Sequence, residues 1–152
     1  MTSISARLAE LGIELPPVPA PLAAYVPAVR TGQHVFTSGQ LPMVGGKLQA
    51  SGKVGAEVTP EEATGYARTC ALNALAAVHA LVGIDSVVRI VKVVGFVAST
   101  PDFTGHPAVV NGASNFLGEV FGEAGAHARS AVGVAALPLD APVEVELIVE
   151  VR

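Results

Sequence analysis

The clearest periodicity in the chain lies at its C-terminal end. Over residues 143–151, Val143, Val145, Leu147, Val149 and Val151 fall on one side, and Glu144, Glu146 and Glu150 on the other. Period-two alternation predicts a strand with one buried and one exposed face. Residues 87–97 are apolar on both sides apart from Arg89 and Lys92, the pattern of a central strand covered on two sides. Further strands are expected at 25–30 and 34–38, around Thr31-Gly32-Gln33, and at 129–137. Gly45-Gly46 marks a tight turn that would join 41–43 to 47–49 as a hairpin.

Helical signals punctuate these strands. In Thr59-Pro60-Glu61-Glu62, Thr59 is a natural N-cap, Pro60 fits the first helical position where its missing N–H costs nothing, and Glu62 completes a capping box. The helix is expected to run to about Val82, with Gly83 as a left-handed stop. Tyr66, Cys70, Asn73, Ala77 and Leu81 track one face, and Leu72, Leu75, Ala76 and His79 a neighbouring one, so broad an apolar surface that deep packing on a sheet is expected. After a turn at 101–105, a second helix over 108–122 would point Val109, Ala113, Phe116, Leu117 and Val120 inward. At the N-terminus Ser3 caps a short helix stopped by Gly12, and Pro16, Pro17, Pro19 and Pro21 impose an extended segment. The chain shows no internal repeat. It reads as a single domain over 1–152, with residues 1–22 as an N-terminal extension. Two helices interspersed with strand pairs predict an α+β sandwich with the helices on one face. The other sheet face would be uncovered, and self-association is the economical cover.

Composition sharpens this picture. Charged residues make up 14% of the chain against a typical ~25%, too few to cover a monomer, which again points to an oligomer. The net charge is −4 and there is no basic stripe to neutralise phosphates, which argues against a nucleic-acid binder. Mean hydropathy is high, at +0.54, yet no stretch reaches the ~18–20 apolar residues of a membrane span. Residues 1–12 carry Arg7 and Glu10 and do not read as a signal peptide, so a cytoplasmic protein is expected. The single cysteine, Cys70, precludes an internal disulfide and fits a reducing compartment.

Few residues invite chemistry. His34, His79, His106 and His127 have no ligand spacing and Cys70 has no partner cysteine, so neither a metal nor a cofactor is expected. Cys70 reads as a small buried hydrophobe. Ser38 lacks a Gly-x-Ser-x-Gly setting, and Gly45-Gly46 lacks the spacing of a phosphate loop. Arg129 opens an apolar strand and has two readings: an edge charge pointing to water, or a carboxylate anchor using its bidentate fork. Glu144 starts the next strand. It is either a solvated member of its alternating series or, if the two strands are neighbours, a carboxylate beside the same cleft that could hold a water or shuttle a proton.

Several segments together carry a family resemblance. Tyr25 followed by Val29, then Val35-Phe36-Thr37-Ser38-Gly39-Gln40-Leu41-Pro42, resembles the N-terminal signature of the RidA (YjgF, L-PSP endoribonuclease) family. Val93-Val94-Gly95-Phe96-Val97 followed by Asp102-Phe103, and Val110-Asn111 with Phe116, resemble its middle segments. Ala128-Arg129-Ser130-Ala131-Val132, Leu137-Pro138 and Val143-Glu144-Val145-Glu146 resemble its C-terminal signature. The match runs from about Ala23 onward, and the N-terminal helix and region 51–59 resemble a longer branch of the family. The resemblance implies a chorismate-mutase-like α+β fold, with a sheet and two helices on one face. It implies a homotrimer whose three sheets pack into a central barrel-like core, with three clefts between subunits. It assigns Arg129 to the substrate carboxylate and Glu144 to the hydrolytic water. Tyr25, Ser38 and Gly39 would line the cleft, and Asn111 would stand near its wall. Ala131 occupies a position where many members carry a cysteine. The implied activity is deamination of reactive 2-imino and 2-enamino acids, such as 2-aminoacrylate, to 2-oxo acids and ammonia, without metal or cofactor. The alternative is a non-catalytic trimer that binds a small metabolite or a protein partner. Ribonuclease action is the third reading, opposed by the acidic charge, the nine Lys and Arg, the lack of a histidine pair and the 5% aromatic content.

Overall fold

The last strand organises the molecule. In the computed structural model of the chain, which describes residues 2–18 and 24–152, β7 (Val143–Val151) lies at the centre of a five-stranded mixed sheet. It pairs antiparallel with β2 (His34–Thr37) on one side and β5 (Val87–Ala98) on the other. β1 (Ala28–Thr31) flanks β2, and β6 (Ala128–Val134) runs parallel to β5 at the opposite edge, giving the order β1-β2-β7-β5-β6. The alternation of β7 is borne out: Val143, Val145, Leu147, Val149 and Val151 are buried and the glutamates are half-buried.

Among the described residues three α-helices accompany the sheet. α1 (Ile4–Glu10) is capped by the Ser3 hydroxyl, as expected. α2 (Pro60–Val82) opens with the full Thr59–Glu62 capping box and ends at Gly83, whose φ is 79°. α3 is His106–Phe121, two residues earlier than expected at its start because Pro107 takes the N-terminal position. α2 and α3 lie side by side on one face of the sheet. α2 buries a stripe of small residues, among them Ala63, Ala67, Cys70, Ala71 and Ala74; its last turn is exposed at His79 and Leu81, against the expectation that both pack. The five inward positions expected on α3 are all buried. Gly95 of β5 leaves room for Val110 of α3, since a Cβ there would fall 2.5 Å from a Val110 methyl. The N-terminal helix is tied down through Asp85, which accepts the Ser5 N–H (2.8 Å) and the Ser5 hydroxyl (2.6 Å). Of the proline-rich segment, Pro16 and Pro17 lie outside any helix or strand, and Pro19 and Pro21 lie outside the described residues.

Several expectations need correction. β7 holds the centre of the sheet, not β5, and β5 is covered on one face only. β1 begins at Ala28 because Pro27 has no N–H to give the ladder. β6 stops at Val134, since the chain enters a 3-10 turn at Pro138–Asp140 in which Leu139 (φ 60°) and Asp140 (φ 57°) are left-handed. The hairpin is shorter than expected, β3 (Met43–Val44) with β4 (Lys47–Leu48), and stands apart from the main sheet.

The uncovered face is the consequence that matters for function. The register places Val29, Phe36, Ile148 and Lys92 in one cross-strand row, with Phe96 beside Glu144 and Val132, and Val94 beside Glu146. Phe36 is 45% exposed and Val132 44%, so apolar surface and three glutamates share a face that no helix among the described residues covers.

Candidate active site

Arg129 is the second residue of β6 and pairs with Val93, whose side chain is buried beneath the helices. Partners in a parallel ladder share a face, so Arg129 also points to the helix side. There its Nη1 donates to Asn111 Oδ1 (2.7 Å) and to Ser114 Oγ (3.2 Å), both on α3. Ser114 in turn meets His127 Nε2 at 2.9 Å, and His127 Nδ1 meets the Gly125 carbonyl at 2.6 Å. A carbonyl can only accept, so Nδ1 carries a proton, and in that tautomer Nε2 accepts from the Ser114 hydroxyl. The guanidinium is thus aimed by two acceptors, one of which, Ser114 Oγ, is itself oriented by His127. Among the described residues its Nε and Nη2 have no hydrogen-bond partner, which leaves them for an anion.

Glu144, the second residue of β7, pairs with Phe96 and points to the uncovered face. Its carboxylate lies against Gly39, where a Cβ would fall 2.6 Å from Oε1. The segment carrying Gly39 is held firmly. The Ser38 N–H donates to the Pro27 carbonyl (2.8 Å) and its hydroxyl to the Val26 carbonyl (2.6 Å). Gln40 exchanges both backbone hydrogen bonds with Val145 (2.9 and 3.0 Å). Asn73 of α2 donates to the Leu41 and Met43 carbonyls. Tyr25 precedes this cluster and is 64% exposed. Partial burial raises the Glu144 carboxyl above the ordinary glutamate range, and the charge of Glu146 adds to it. A carboxylate whose carboxyl is displaced upward is the stronger base, which suits it to take a proton from water. Glu144 is also a secondary reason, after burial, that the Cys70 thiol is pushed well up and stays protonated, in line with the reading of Cys70 as inert packing.

The chain therefore sorts the sequence-predicted residues into two groups. Arg129 and Asn111 stand at the β6 edge beneath α3, with Ala131 next along the same face, partly buried against the core. Glu144, Gly39, Ser38 and Tyr25 stand at the β2–β7 end. The strands of Arg129 and Glu144 are not neighbours, contrary to the condition set on the sequence: β5 lies between them. Their partners on β5 are Val93 and Phe96, an odd spacing, so the two side chains leave opposite faces of the sheet. Two strand spacings across and three residues along put their Cα atoms roughly 14 Å apart. No single chain brings both into one cleft. Sequence reasoning missed Ser114 and His127; Ser114 follows Asn111 by one helical turn on the same edge of α3, a spacing that could have revealed it. Among the described residues no group of three or more His, Cys, Asp or Glu could hold a metal, and no helix is long and apolar enough to cross a membrane.

Known proteins share this arrangement of elements. The chain matches the family model described as "YjgF/chorismate_mutase-like, putative endoribonuclease" over residues 5–151. It is 46% identical to "Protein TCP17" of Trypanosoma cruzi, covering 98% of this chain and 94% of that protein. Among solved structures, the protein Atu1372 of unknown function from Agrobacterium tumefaciens is 45% identical with a TM-score of 0.90, covering 98% of this chain and 92% of that one. A "putative endoribonuclease" from Shewanella oneidensis is 34% identical with a TM-score of 0.93, covering 99% of this chain and all (100%) of that one. Escherichia coli TdcF with bound serine is 29% identical with a TM-score of 0.62, covering 89% of this chain and 93% of that one. Sequence motifs, sheet order and these matches agree: the chain belongs to the YjgF/chorismate-mutase-like family.

Proposed function

We propose that this protein is a cytoplasmic deaminase that hydrolyses reactive 2-imino and 2-enamino acids to 2-oxo acids and ammonia, in a cleft built between copies of the chain in a homotrimer. The observation that carries the reading is the Arg129 guanidinium, held at Nη1 by Asn111 and Ser114 with its remaining edge open to a carboxylate. A bidentate arginine fixes both position and orientation of a small acid. Once the acid is fixed, the chemistry demands little. The imine carbon is already electrophilic, so a placed water suffices and catalysis is mainly proximity and electrostatics. In the proposed cleft Glu144 of a neighbouring copy takes a proton from water as the water oxygen bonds to C2 of the protonated imine, and the C=N electron pair moves onto the nitrogen. It then returns that proton to the nitrogen; the C2–N bond breaks to release ammonia as the C2 hydroxyl gives its remaining proton to Glu144, leaving the 2-oxo acid. An enamine enters the same path after protonation at C3. Tyr25, Ser38 and Gly39 accompany Glu144, and Ala131 gives the Arg129 side a small floor. Serine bound to a relative, TdcF, is consistent with a cleft for a small amino-acid-like ligand.

The endoribonuclease wording attached to relatives is a weaker guide here. With a net charge of −4 and Glu144, Glu146 and Glu150 on the open face, the chain offers little to a phosphate backbone. The test is hydrolysis of 2-aminoacrylate and 2-iminobutanoate generated in situ. Acceleration by the wild type, lost in a folded Arg129→Ala variant, is expected. A folded, oligomeric wild type that accelerates neither imine would overturn the deaminase reading and favour the non-catalytic binding module.

A further inference from the structure

Among the described residues two cavities are left over once the Arg129 and Glu144 clusters are accounted for. The larger, about 810 Å³, lies beside α1 around Leu8, Ile13 and His79; the other holds a paired serine and histidine. This second cavity measures about 380 Å³ and lies at the C-terminal end of β6, between Ser99, Phe103, His106, Gly133 and Val134. Two of its polar groups form a pair: Ser99 Oγ and His106 Nε2 are 3.0 Å apart. The imidazole is set by two neighbours. The Phe103 ring meets it edge-on at 5.3 Å and 87°. Gly133 supplies the space beneath, since a Cβ there would collide with the His106 ring.

The Ser99–His106 pair keeps a hydrogen-bond donor in hand whichever neutral tautomer is present. If Ser99 donates to Nε2, the imidazole proton is on Nδ1. If Nε2 donates to Ser99, the hydroxyl proton is uncommitted. Among the described residues no other partner claims either proton. The pair is therefore suited to an acceptor, and best to an anionic one.

Its position relative to Arg129 gives this meaning. Arg129, Ala131 and Gly133 alternate along β6 with Ser130 and Val132, so all three face α3. The Gly133 wall of the cavity thus lies on the face of β6 that Arg129 begins, with Ala131 the strand residue between them on that face. Four residues along the strand separate Arg129 from Gly133, roughly 13 Å. The guanidinium leans onto Asn111, which is about 7.5 Å along the axis of α3 from His106. A four- or five-carbon acid with one hydrogen bond at each end spans a gap in this range. Three-carbon 2-aminoacrylate does not.

We propose that the Ser99–His106 cavity is the side-chain pocket of the Arg129 cleft, and that it selects 2-imino acids whose side chain ends in a hydrogen-bond acceptor, a carboxylate or carboxamide. This rests on the deaminase reading for the reaction, but not for the binding. Two measurements separate them. The first is calorimetric binding of 2-oxoglutarate and 2-oxopentanoate, equal in chain length and differing at the distal end. Wild type binds 2-oxoglutarate roughly ten- to a hundredfold tighter, the range for one hydrogen bond to a charged group. His106→Phe, which keeps the ring over Gly133 and against Phe103, brings that ratio close to one, as does Ser99→Ala. Arg129→Ala weakens both ligands. The second is hydrolysis of the imines made from glutamate and norvaline by an amino-acid oxidase, where kcat/KM follows the same preference and the same variants. Equal wild-type affinity for the two ligands, or a His106→Phe loss shared equally between them in a protein with unchanged melting, overturns the pocket. A binding preference without hydrolysis of either imine keeps the pocket and removes the deaminase. Hydrolysis of both imines at equal kcat/KM keeps the deaminase and removes the pocket.

Discussion

Gly39→Ala isolates the Glu144 carboxylate from almost everything else. A Cβ at position 39 would stand 2.6 Å from Glu144 Oε1 and 2.7 Å from its carboxyl carbon. The obstacle is the end of a half-buried, flexible side chain, not backbone, and Gly39 is not among the glycines with a positive φ. The fold therefore accepts alanine while the carboxylate gives way. Restricting the unfolded chain stabilises by ~0.4–1 kcal/mol, and holding Glu144 off its preferred rotamer costs ~0.5–1.5 kcal/mol. The net change is within about 1 kcal/mol, which at this chain length moves the melting temperature by about 2–4 °C at most. Activity responds differently. A misplacement of order 1 Å in a reacting group costs about a hundredfold, so kcat/KM for 2-iminobutanoate is expected to fall by about that factor. The control is Glu144→Gln and the double variant. If both substitutions act through one carboxylate, the double variant is no slower than Glu144→Gln alone. Full activity in Gly39→Ala, or two losses that multiply, would refute the assignment of Glu144 to the chemistry.

Three more predictions come from named contacts. Burial and Glu146 raise the Glu144 carboxyl, so the native state holds its proton to higher pH than the unfolded chain. Stability therefore falls as pH rises from the ordinary glutamate value through the raised one; Glu144→Gln removes this slope, read as a denaturant midpoint above wild type at neutral pH and a gap that closes in acid. Asp85 is shifted the other way, lowered first by the Ser5 hydroxyl and then by the Ser5 N–H. Its contribution is present above the ordinary aspartate value and lost as pH falls through the lowered one, so Asp85→Asn speeds amide exchange in α1 at neutral pH and makes no difference at low pH. Asn111→Ala removes the 2.7 Å acceptor that aims Arg129 while Ser114 remains. A roughly tenfold rise in KM for 2-imino acids is expected from one lost hydrogen bond to a charged group, and an unchanged KM would show that the guanidinium needs no such support.

What the sequence discloses depends on how far apart the interacting groups are along the chain. The Thr59–Glu62 cap, the Gly83 stop and the alternation of β7 are local, and all were legible. The Ser5–Asp85 clamp joins residues eighty positions apart, and no pattern in either segment announces it. The sheet order is equally non-local. Nothing in residues 87–97 says that β7 rather than β5 takes the centre, because an apolar run reads alike wherever it stands. The separation of Arg129 from Glu144 is a subtler case. Each residue was legible as a site candidate, from type and from family resemblance. Their relation was not, because it turns on the parity of two registers, Arg129 with Val93 and Glu144 with Phe96. A one-residue change in either would have put them on the same face.

That parity makes the proposed oligomeric site testable without solving an assembly. Arg129 and Glu144 leave opposite faces of one sheet, two strands apart, and the pleated backbone between them cannot be reached around by side chains of their length. A cleft that uses both must take Arg129 from one chain and Glu144 from another. Arg129→Ala and Glu144→Gln are each expected to be inactive alone. Refolded together in equal amounts, they form mixed oligomers in which a cleft has both groups when an intact arginine meets an intact glutamate. With random assembly that holds for roughly one quarter of the clefts in a closed symmetric ring, so about a quarter of wild-type activity returns. If each cleft were built within one chain, every chain would carry one defect and nothing would return. Absence of recovery, in a mixture shown by differential tags to contain both chains in the same oligomers, would therefore refute the shared cleft. The open face would then need another explanation, since Phe36, Val132 and the glutamate row would be exposed for some purpose other than completing this site.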